Sequence, residues 1–175
     1  MSHSLNLLNL SDFQKYIQIR TVHPAPDYTT AIDFLVSIAD RYSLNHWVID
    51  LTNGRQALLI SYNYDESKPS VLFNSHMDVV PVNEELWDHD PFSATIDINE
   101  DRMYGRGTQD MKTIGMQYLH ALIRLSKQEP KQQLNHNILL SFVPDEEISS
   151  VNGMHVLIHK IKKYNIKFAF DEGIP

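Results

Sequence analysis

From residue 70 onward, short apolar runs alternate with amphipathic segments, and this order constrains the fold more than any other feature of the sequence. Residues 71–73 form a short continuous apolar run, which predicts a strand buried on both faces. A helix, a strand, a helix and a last strand are then predicted at residues 108–127, 138–143, 151–163 and 166–170. This alternation predicts an α/β fold with a doubly wound, mostly parallel sheet and helices on both faces.

The first 70 residues predict two helices and a hairpin. A capping-box pattern at residues 11–14 is expected to start the first helix. Asp27 or Thr30 is expected to cap the second. Asn53-Gly54 is a strong hairpin turn signal, because both positions of the favoured turn need positive φ; it separates the strand-like runs 47–51 and 57–62.

Composition excludes several classes of partner and site. The net charge of -7 argues against a nucleic-acid backbone or an anionic membrane as the main partner. The chain has no cysteine, so any metal must be held by His, Asp and Glu. No run approaches the roughly 20 apolar residues that span a bilayer, and residues 1–10 lack the pattern of a secretory signal. A cytoplasmic location is therefore expected.

Ionisable residues are concentrated just after the predicted strands. They are His76 and Asp78 after the first strand, Asp145, Glu146 and Glu147 after the second, and Asp171 and Glu172 after the third; Asp110 is expected to open the long helix. Open α/β sheets bind ligands at the carboxyl ends of their strands, so we expect these groups to meet at one edge. Carboxylates so placed repel one another, and a bound cation is the simplest compensation.

Each of these residues also has a simpler interpretation. Residues i and i+2 of a strand face the same side, so Asp78 could accept the second ring N–H of His76, as carboxylates do for zinc-binding histidines. The alternative is a surface His and Asp. The side chains of Glu146 and Glu147 are expected to point in different directions, because the two residues are adjacent at the end of a strand. One could then bind metal while the other moves a proton; the alternative is a solvated acidic turn before a helix. The Asp88-His89-Asp90 run is interpreted as structural.

Four segments, in order, resemble the signatures of the aminoacylase and carboxypeptidase family of two-metal peptidases. They are Asn74-Ser75-His76-Met77-Asp78-Val79-Val80-Pro81, Arg106-Gly107-Thr108-Gln109-Asp110-Met111-Lys112, Val143-Pro144-Asp145-Glu146-Glu147 and Phe170-Asp171-Glu172-Gly173-Ile174. Gln109, before the aspartate of the second segment, points toward the aminoacylases within the family.

The resemblance implies a role for each matched residue. His76, Asp110 and Glu172 would bind one Zn²⁺, and Asp110 would bridge to a second Zn²⁺ that also takes Glu147. Glu146 would be the general base and Asp78 would orient His76. The implied reaction is hydrolysis of an N-acyl-L-amino acid to a carboxylate and a free amino acid, by a water shared between the two metals. The resemblance also implies a cis peptide bond after Asp110 and a homodimer.

Two departures from the family pattern affect this expectation. Ser149 and Ser150 stand where relatives have glycines, and serine is strained if the backbone there needs positive φ. Relatives also continue into a lid and dimerisation domain and a final metal-binding histidine. Residues 1–175 are thus expected to be the N-terminal part of the catalytic metal-binding domain, binding one Zn²⁺ well and turning over little substrate alone. The alternatives are a dipeptidase or carboxypeptidase of the family and a non-catalytic, truncated metal-binding protein.

Overall fold

The computed structural model describes residues 3–130 and 133–172, and for residues 3–9 the backbone alone. Its elements, in chain order, are α1 (His3–Gln18), α2 (Tyr28–Arg41), β1 (Asn45–Asp50), β2 (Gln56–Ser61), β3 (Ser70–His76), β4 (Thr95–Asp97), β5 (Arg102–Tyr104), α3 (Lys112–Ser126), β6 (Asn137–Val143), α4 (Met154–Lys160) and β7 (Ile166–Phe170). Among the described residues, every helix is too short or too polar to cross a membrane.

Five strands form the main sheet, in the order β1-β2-β6-β3-β7. Strand β3 runs parallel to both of its neighbours, β6 and β7. The β1–β2 hairpin extends the sheet antiparallel, since β2 pairs antiparallel with β6. The α/β class is confirmed; the sheet is mixed, with three parallel strands and an antiparallel hairpin at one edge.

Local turn and cap signals account for the N-terminal elements. Asn53 and Gly54 have φ values of 53° and 71°, as the hairpin signal predicts, and Arg55 N donates to Thr52 O at 3.0 Å to close the turn. Asp27 is the N-cap of α2, accepting a hydrogen bond from Thr30 N at 3.1 Å. Helix α1 begins at His3, so the start expected at residue 11 is wrong: no Pro or Gly interrupts residues 3–18, and the helix continues through them.

Two later helices begin after their expected starts. Helix α3 begins at Lys112, because Gly107 has a left-handed φ of 93° and Thr108 closes a separate turn onto Gly105 O. Asp110 therefore lies in the turn before the helix rather than in its first turn. Helix α4 begins at Met154, three residues later than expected, because the turn before it is left-handed and helical geometry starts only after Gly153.

Each face of the sheet is covered by its own core. Alternate β2 residues show the division: Leu58 and Ile60 pack with α1, α2 and α3, whereas Ala57 and Leu59 pack on the opposite face with α4. Helices thus lie on both faces, as predicted. Strand β7 forms one edge of the sheet, and Phe168 and Phe170 on it remain 60% and 52% exposed.

Candidate metal centre

The parallel register brings three strand ends to one edge of the sheet. His76, the last residue of β3, pairs with Val143, the last residue of β6. On the other side, Phe73 of β3 pairs with Phe170, the last residue of β7. The acidic residues that follow each strand are therefore delivered to the same edge, as the strand-end pattern predicts.

The His76 imidazole is the centre of this cluster. Its side chain is only 1% exposed, and Nε2 faces three carboxylates. The Nε2 atom lies 2.9 Å from Asp110 Oδ1, 3.6 Å from Glu172 Oε1 and 3.9 Å from Glu146 Oε2. Those carboxylates are 61%, 29% and 41% exposed, so the site is open to solvent on the acidic side.

Asp78 makes several hydrogen bonds next to the His76 imidazole. His76 Nδ1 lies 2.8 Å from the main-chain oxygen of Asp78, whereas Oδ1 of the Asp78 carboxylate is 3.6 Å away. The buried carboxylate instead accepts the main-chain N–H groups of Glu146 at 3.1 Å and Glu147 at 3.0 Å, and Oδ2 lies 2.8 Å from His23 Nε2. Asp78 thus contacts the ring mainly through its carbonyl oxygen, because its carboxylate binds the main chain of the acidic turn, residues 145–150.

Charge dominates the electrostatics of the cluster. Burial lowers the pKa of His76, but Asp78, Asp110 and Glu172 outweigh it and raise the pKa to about 9. Burial and the neighbouring carboxylates of Asp110 and Glu146 raise the pKa of Glu172 to about 7, although His76 acts to lower it. Burial and the Asp110 carboxylate also raise the pKa of Glu147. The surplus of acids is the pattern expected where a cation is to be held.

Two overlapping groups of side chains have the spacing of metal ligands. One is His76, Asp110 and Glu172; the other is His76, Glu146 and Glu147; within each group the ligand atoms lie within 4.8 Å of one another. Imidazole nitrogen with carboxylate oxygen is a donor set that suits Zn²⁺. The donors present therefore fit the metal. The structure brings together all six residues chosen from the sequence, and the role of each stays a prediction.

Asp145 stands apart from the other acids at this edge. Its side chain is 1% exposed and accepts hydrogen bonds from Tyr28 Oη at 2.8 Å and from Arg55 Nε at 2.9 Å. Tyr28, Arg55 and His23 are the residues near the site that sequence reasoning missed. No local pattern marks them, because their partners lie 55 to 117 positions away in the chain.

The acidic turn is left-handed at several non-glycine residues. Asp145, Ser149 and Ser150 have φ values of 61°, 85° and 58°. Both serine positions thus need the positive φ that glycine adopts without cost, as their place in the family pattern indicates. The cis bond expected after Asp110 is not found: the cis bonds among the described residues precede Pro24 and Pro130.

Lys112, at the end of the second motif, has a structural place. Its ammonium group is buried and donates to the main-chain oxygens of Tyr16 at 3.0 Å and Ile19 at 2.8 Å, at the end of α1. Burial lowers its pKa to about 7, against the opposing charge of Asp78. The Asp88-His89-Asp90 run is also structural, since Asp90 Oδ1 accepts the N–H of Phe92 at 2.8 Å.

Comparison with known proteins finds relatives in sequence and in fold. The chain is 39% identical over 165 residues to aminoacylase-1 of Mus musculus and to aminoacylase-1 of Dictyostelium discoideum, covering 93% of this chain and 40% of each relative. The fold matches the crystal structure of an M20 family metallo-carboxypeptidase from Sulfolobus solfataricus, with a TM-score of 0.76 and 26% identity over 95% of this chain and 37% of that one. The chain thus spans about 40% of the length of the curated relatives it matches.

The family model that matches the sequence covers the part of the chain that builds the cluster. It spans residues 72–174, from β3 to the last acidic motif, whose Gly173 and Ile174 lie outside the described residues. Helices α1 and α2 and the β1–β2 hairpin precede this match. The chain belongs to peptidase family M20/M25/M40.

Proposed function

We propose that this chain supplies the N-terminal part of the catalytic domain of a two-metal amidohydrolase that cleaves N-acyl-L-amino acids. The observation that carries the proposal is the placement of His76, whose buried Nε2 faces the carboxylates of Asp110, Glu146 and Glu172. A single buried imidazole with three acids around one nitrogen is poorly compensated in the absence of a cation. The same donor set suits a divalent metal.

Zn²⁺ is the metal we propose, held first by His76, Asp110 and Glu172. Asp110 would also reach a second Zn²⁺ together with Glu147, so residues 1–175 supply three ligands to one metal and two to the other. Bound at these positions, the ions would supply the Lewis acidity that makes a water nucleophilic near neutral pH and polarises an amide carbonyl. Because the first site has more protein ligands than the second, we expect it to bind Zn²⁺ more tightly.

Glu146 is the proposed general base. Its carboxylate is 41% exposed at the open side of the cluster, and its main-chain N–H is fixed by Asp78. From there it can take a proton from the attacking water and return it to the leaving nitrogen. Asp78 acts as a positioning residue, because it contacts both the ring of His76 and the turn that carries Glu146.

The likeness to aminoacylase-1 and the Gln109-Asp110 pair favour N-acyl-L-amino acids as substrates. A dipeptidase or carboxypeptidase is the second candidate, supported by the fold match to the Sulfolobus solfataricus metallo-carboxypeptidase. A homodimer and a cytoplasmic location belong to the same proposal, supported by the resemblance to the aminoacylases. Sedimentation of the longest protein that contains residues 1–175 tests the homodimer. Fractionation of the cells that produce this protein tests the location.

Metal binding is tested by Zn²⁺ titration calorimetry on residues 1–175. We expect one tight site in the unaltered chain and its loss in His76→Ala. His46→Ala is the matched control, because His46 also lies beside an acid, Asp40 at 3.7 Å, but on β1, three strands away from β3 in the sheet. Retention of the tight site in His76→Ala would contradict the proposed ligand set.

Activity is tested on the longest reading frame that includes this segment, with N-acetyl-L-amino acids and dipeptides as competing substrates. We expect hydrolysis of the acyl substrates to dominate, and Glu146→Gln to lower kcat by about 10²- to 10⁴-fold. Residues 1–175 alone should turn over neither class appreciably. Faster cleavage of dipeptides would favour the second candidate, and robust turnover by 1–175 would contradict the ligand count.

A further inference from the structure

We propose that Arg55 and Tyr28 are positioning residues for Glu146 and Glu147, acting on them through the side chain of Asp145. The inference rests on the proposed function for its chemical meaning, since it concerns the turn that carries the proposed base and one proposed metal ligand. Its physical content is independent of that function: the β1–β2 hairpin and the start of α2 hold the acidic turn in place.

The contacts converge on Asp145, the residue directly before Glu146. Arg55 Nε donates to Asp145 Oδ2 at 2.9 Å, and Tyr28 Oη donates to Oδ1 at 2.8 Å. The same Tyr28 oxygen accepts the main-chain N–H of Asp145 at 2.9 Å. Both the side chain and the backbone of Asp145 are therefore fixed by residues that lie 90 to 117 positions earlier in the chain.

The turn needs such anchoring because its backbone conformation is unfavourable. Asp145, Ser149 and Ser150 all have positive φ, and a left-handed conformation costs an L-residue about 1–2 kcal/mol. Inside the turn, Ser150 N donates to Asp145 O at 2.7 Å, so Asp145 also closes it. Without contacts from outside the turn, the backbone would relax toward more favourable φ values, and this would move Glu146 and Glu147.

Two separate sets of contacts hold the turn. The Asp78 carboxylate accepts the N–H groups of Glu146 and Glu147, and Asp145 is held by the hairpin and α2. One anchor alone would leave the turn free to pivot. With both, the direction in which the glutamate side chains leave the backbone is determined.

Arg55 is suited to this role by its chemistry. Its guanidinium carbon lies 5.2 Å from the centre of the Tyr28 ring, so it covers the tyrosine while it pairs with the buried carboxylate. Removing it leaves the Asp145 charge buried with a neutral partner only, which favours a rearranged turn. Arg55→Lys keeps the charge and one donor, and so should restore part of the anchoring.

The test is amide hydrogen exchange of metal-free 1–175, followed by NMR. In Arg55→Ala we expect the amides of Glu146 and Glu147 to exchange at least about tenfold faster relative to the β6 amide of Leu140. In Arg55→Lys the increase should be smaller. Tyr28→Phe keeps the ring and removes only the hydroxyl, and it should also speed the exchange of both turn amides. This variant provides the test if Arg55→Ala does not fold.

Arg41→Ala is the matched control. Arg41 pairs with another buried carboxylate, Asp12, at 3.0 and 3.2 Å, and its guanidinium carbon lies 5.9 Å from the centre of an aromatic ring, that of Tyr42. Its loss should lower global stability comparably while leaving the ratio of turn to β6 exchange unchanged. Equal ratios in Arg55→Ala and Arg41→Ala would overturn the positioning role.

Zn²⁺ titration of the same samples connects the anchor to the site. Following the turn amides, we expect Arg55→Ala to weaken apparent Zn²⁺ affinity about 10- to 100-fold, the usual effect of losing a group that orients metal ligands. Affinity followed at Glu172, which is proposed to bind only the first metal, should change less than about twofold. If no Zn²⁺ binds to any variant, the proposed function fails, and the exchange ratios still decide whether Arg55 and Tyr28 position the turn.

Discussion

Replacing Ser149 and Ser150 by glycine should stabilise the chain, although the substitutions remove side-chain atoms. Both residues have positive φ, 85° and 58°, in the turn that carries Glu146 and Glu147. A left-handed conformation costs an L-residue about 1–2 kcal/mol, and glycine avoids this cost. Glycine is also more flexible when unfolded, which offsets about 0.5–1 kcal/mol. The net expectation is a gain of about 0.5–1 kcal/mol in the free energy of unfolding at each position.

The assay is urea unfolding of the two single variants and the double variant, followed by far-UV circular dichroism. Because the two positions are adjacent, the double variant need not equal the sum of the single ones. Ser149→Ala and Ser150→Ala are the controls, since they remove the same hydroxyls but keep a Cβ in the left-handed region. Equal stabilities for the glycine and alanine variants would show that backbone strain is not the cause.

Three further results are expected. Gly153→Ala should destabilise the chain by about 1–3 kcal/mol in urea unfolding, because an added Cβ would clash with the carbonyl oxygen of Pro144; unchanged stability would contradict the packing described. We expect residues 1–175 to self-associate through the edge strand β7, on which Phe168 is 60% exposed. Phe168→Lys should reduce this self-association in sedimentation velocity, whereas Leu86→Lys, at an exposed site outside that strand, should not; equal effects would contradict the role of β7. Zn²⁺ binding at pH 7 should release about one proton from His76, whose pKa is about 9, and about half a proton from Glu172, whose pKa is about 7. Because the metal takes the neutral ring, Zn²⁺ affinity should rise about tenfold from pH 7 to 8 and less steeply as the pH approaches 9. Calorimetry in two buffers measures the proton release, and calorimetry at several pH values measures the affinity profile; a flat profile would contradict the prediction.

Local sequence signals predicted the framework of the sheet. The apolar runs at residues 71–73, 138–143 and 166–170 all lie within strands of the structure, and Asn53-Gly54 forms the expected turn. These signals succeed because burial on both faces and positive φ are properties of consecutive residues. Helix starts were less predictable: Asp110 lies before α3 rather than within it, because the preceding turn is set by Gly107.

The acidic edge was foreseen from strand ends, but its internal connections were not. Asp145 reads in the sequence as one more acid of the cluster, yet it is buried and paired with Arg55. Asp78 was expected to reach the ring of His76 with its carboxylate, yet the carboxylate accepts two main-chain amides. Such choices depend on contacts between residues about 70 to 90 positions apart, and no local pattern records them.

Asp78 holds the acidic turn through hydrogen bonds to its backbone alone. Its carboxylate binds the N–H groups of Glu146 and Glu147, and any residue except proline would present the same groups. The location of the turn is therefore separable from the reactivity of the side chains it displays. Substitutions at these two positions can change chemistry without changing architecture, which makes the turn a suitable place for divergence of activity within one fold.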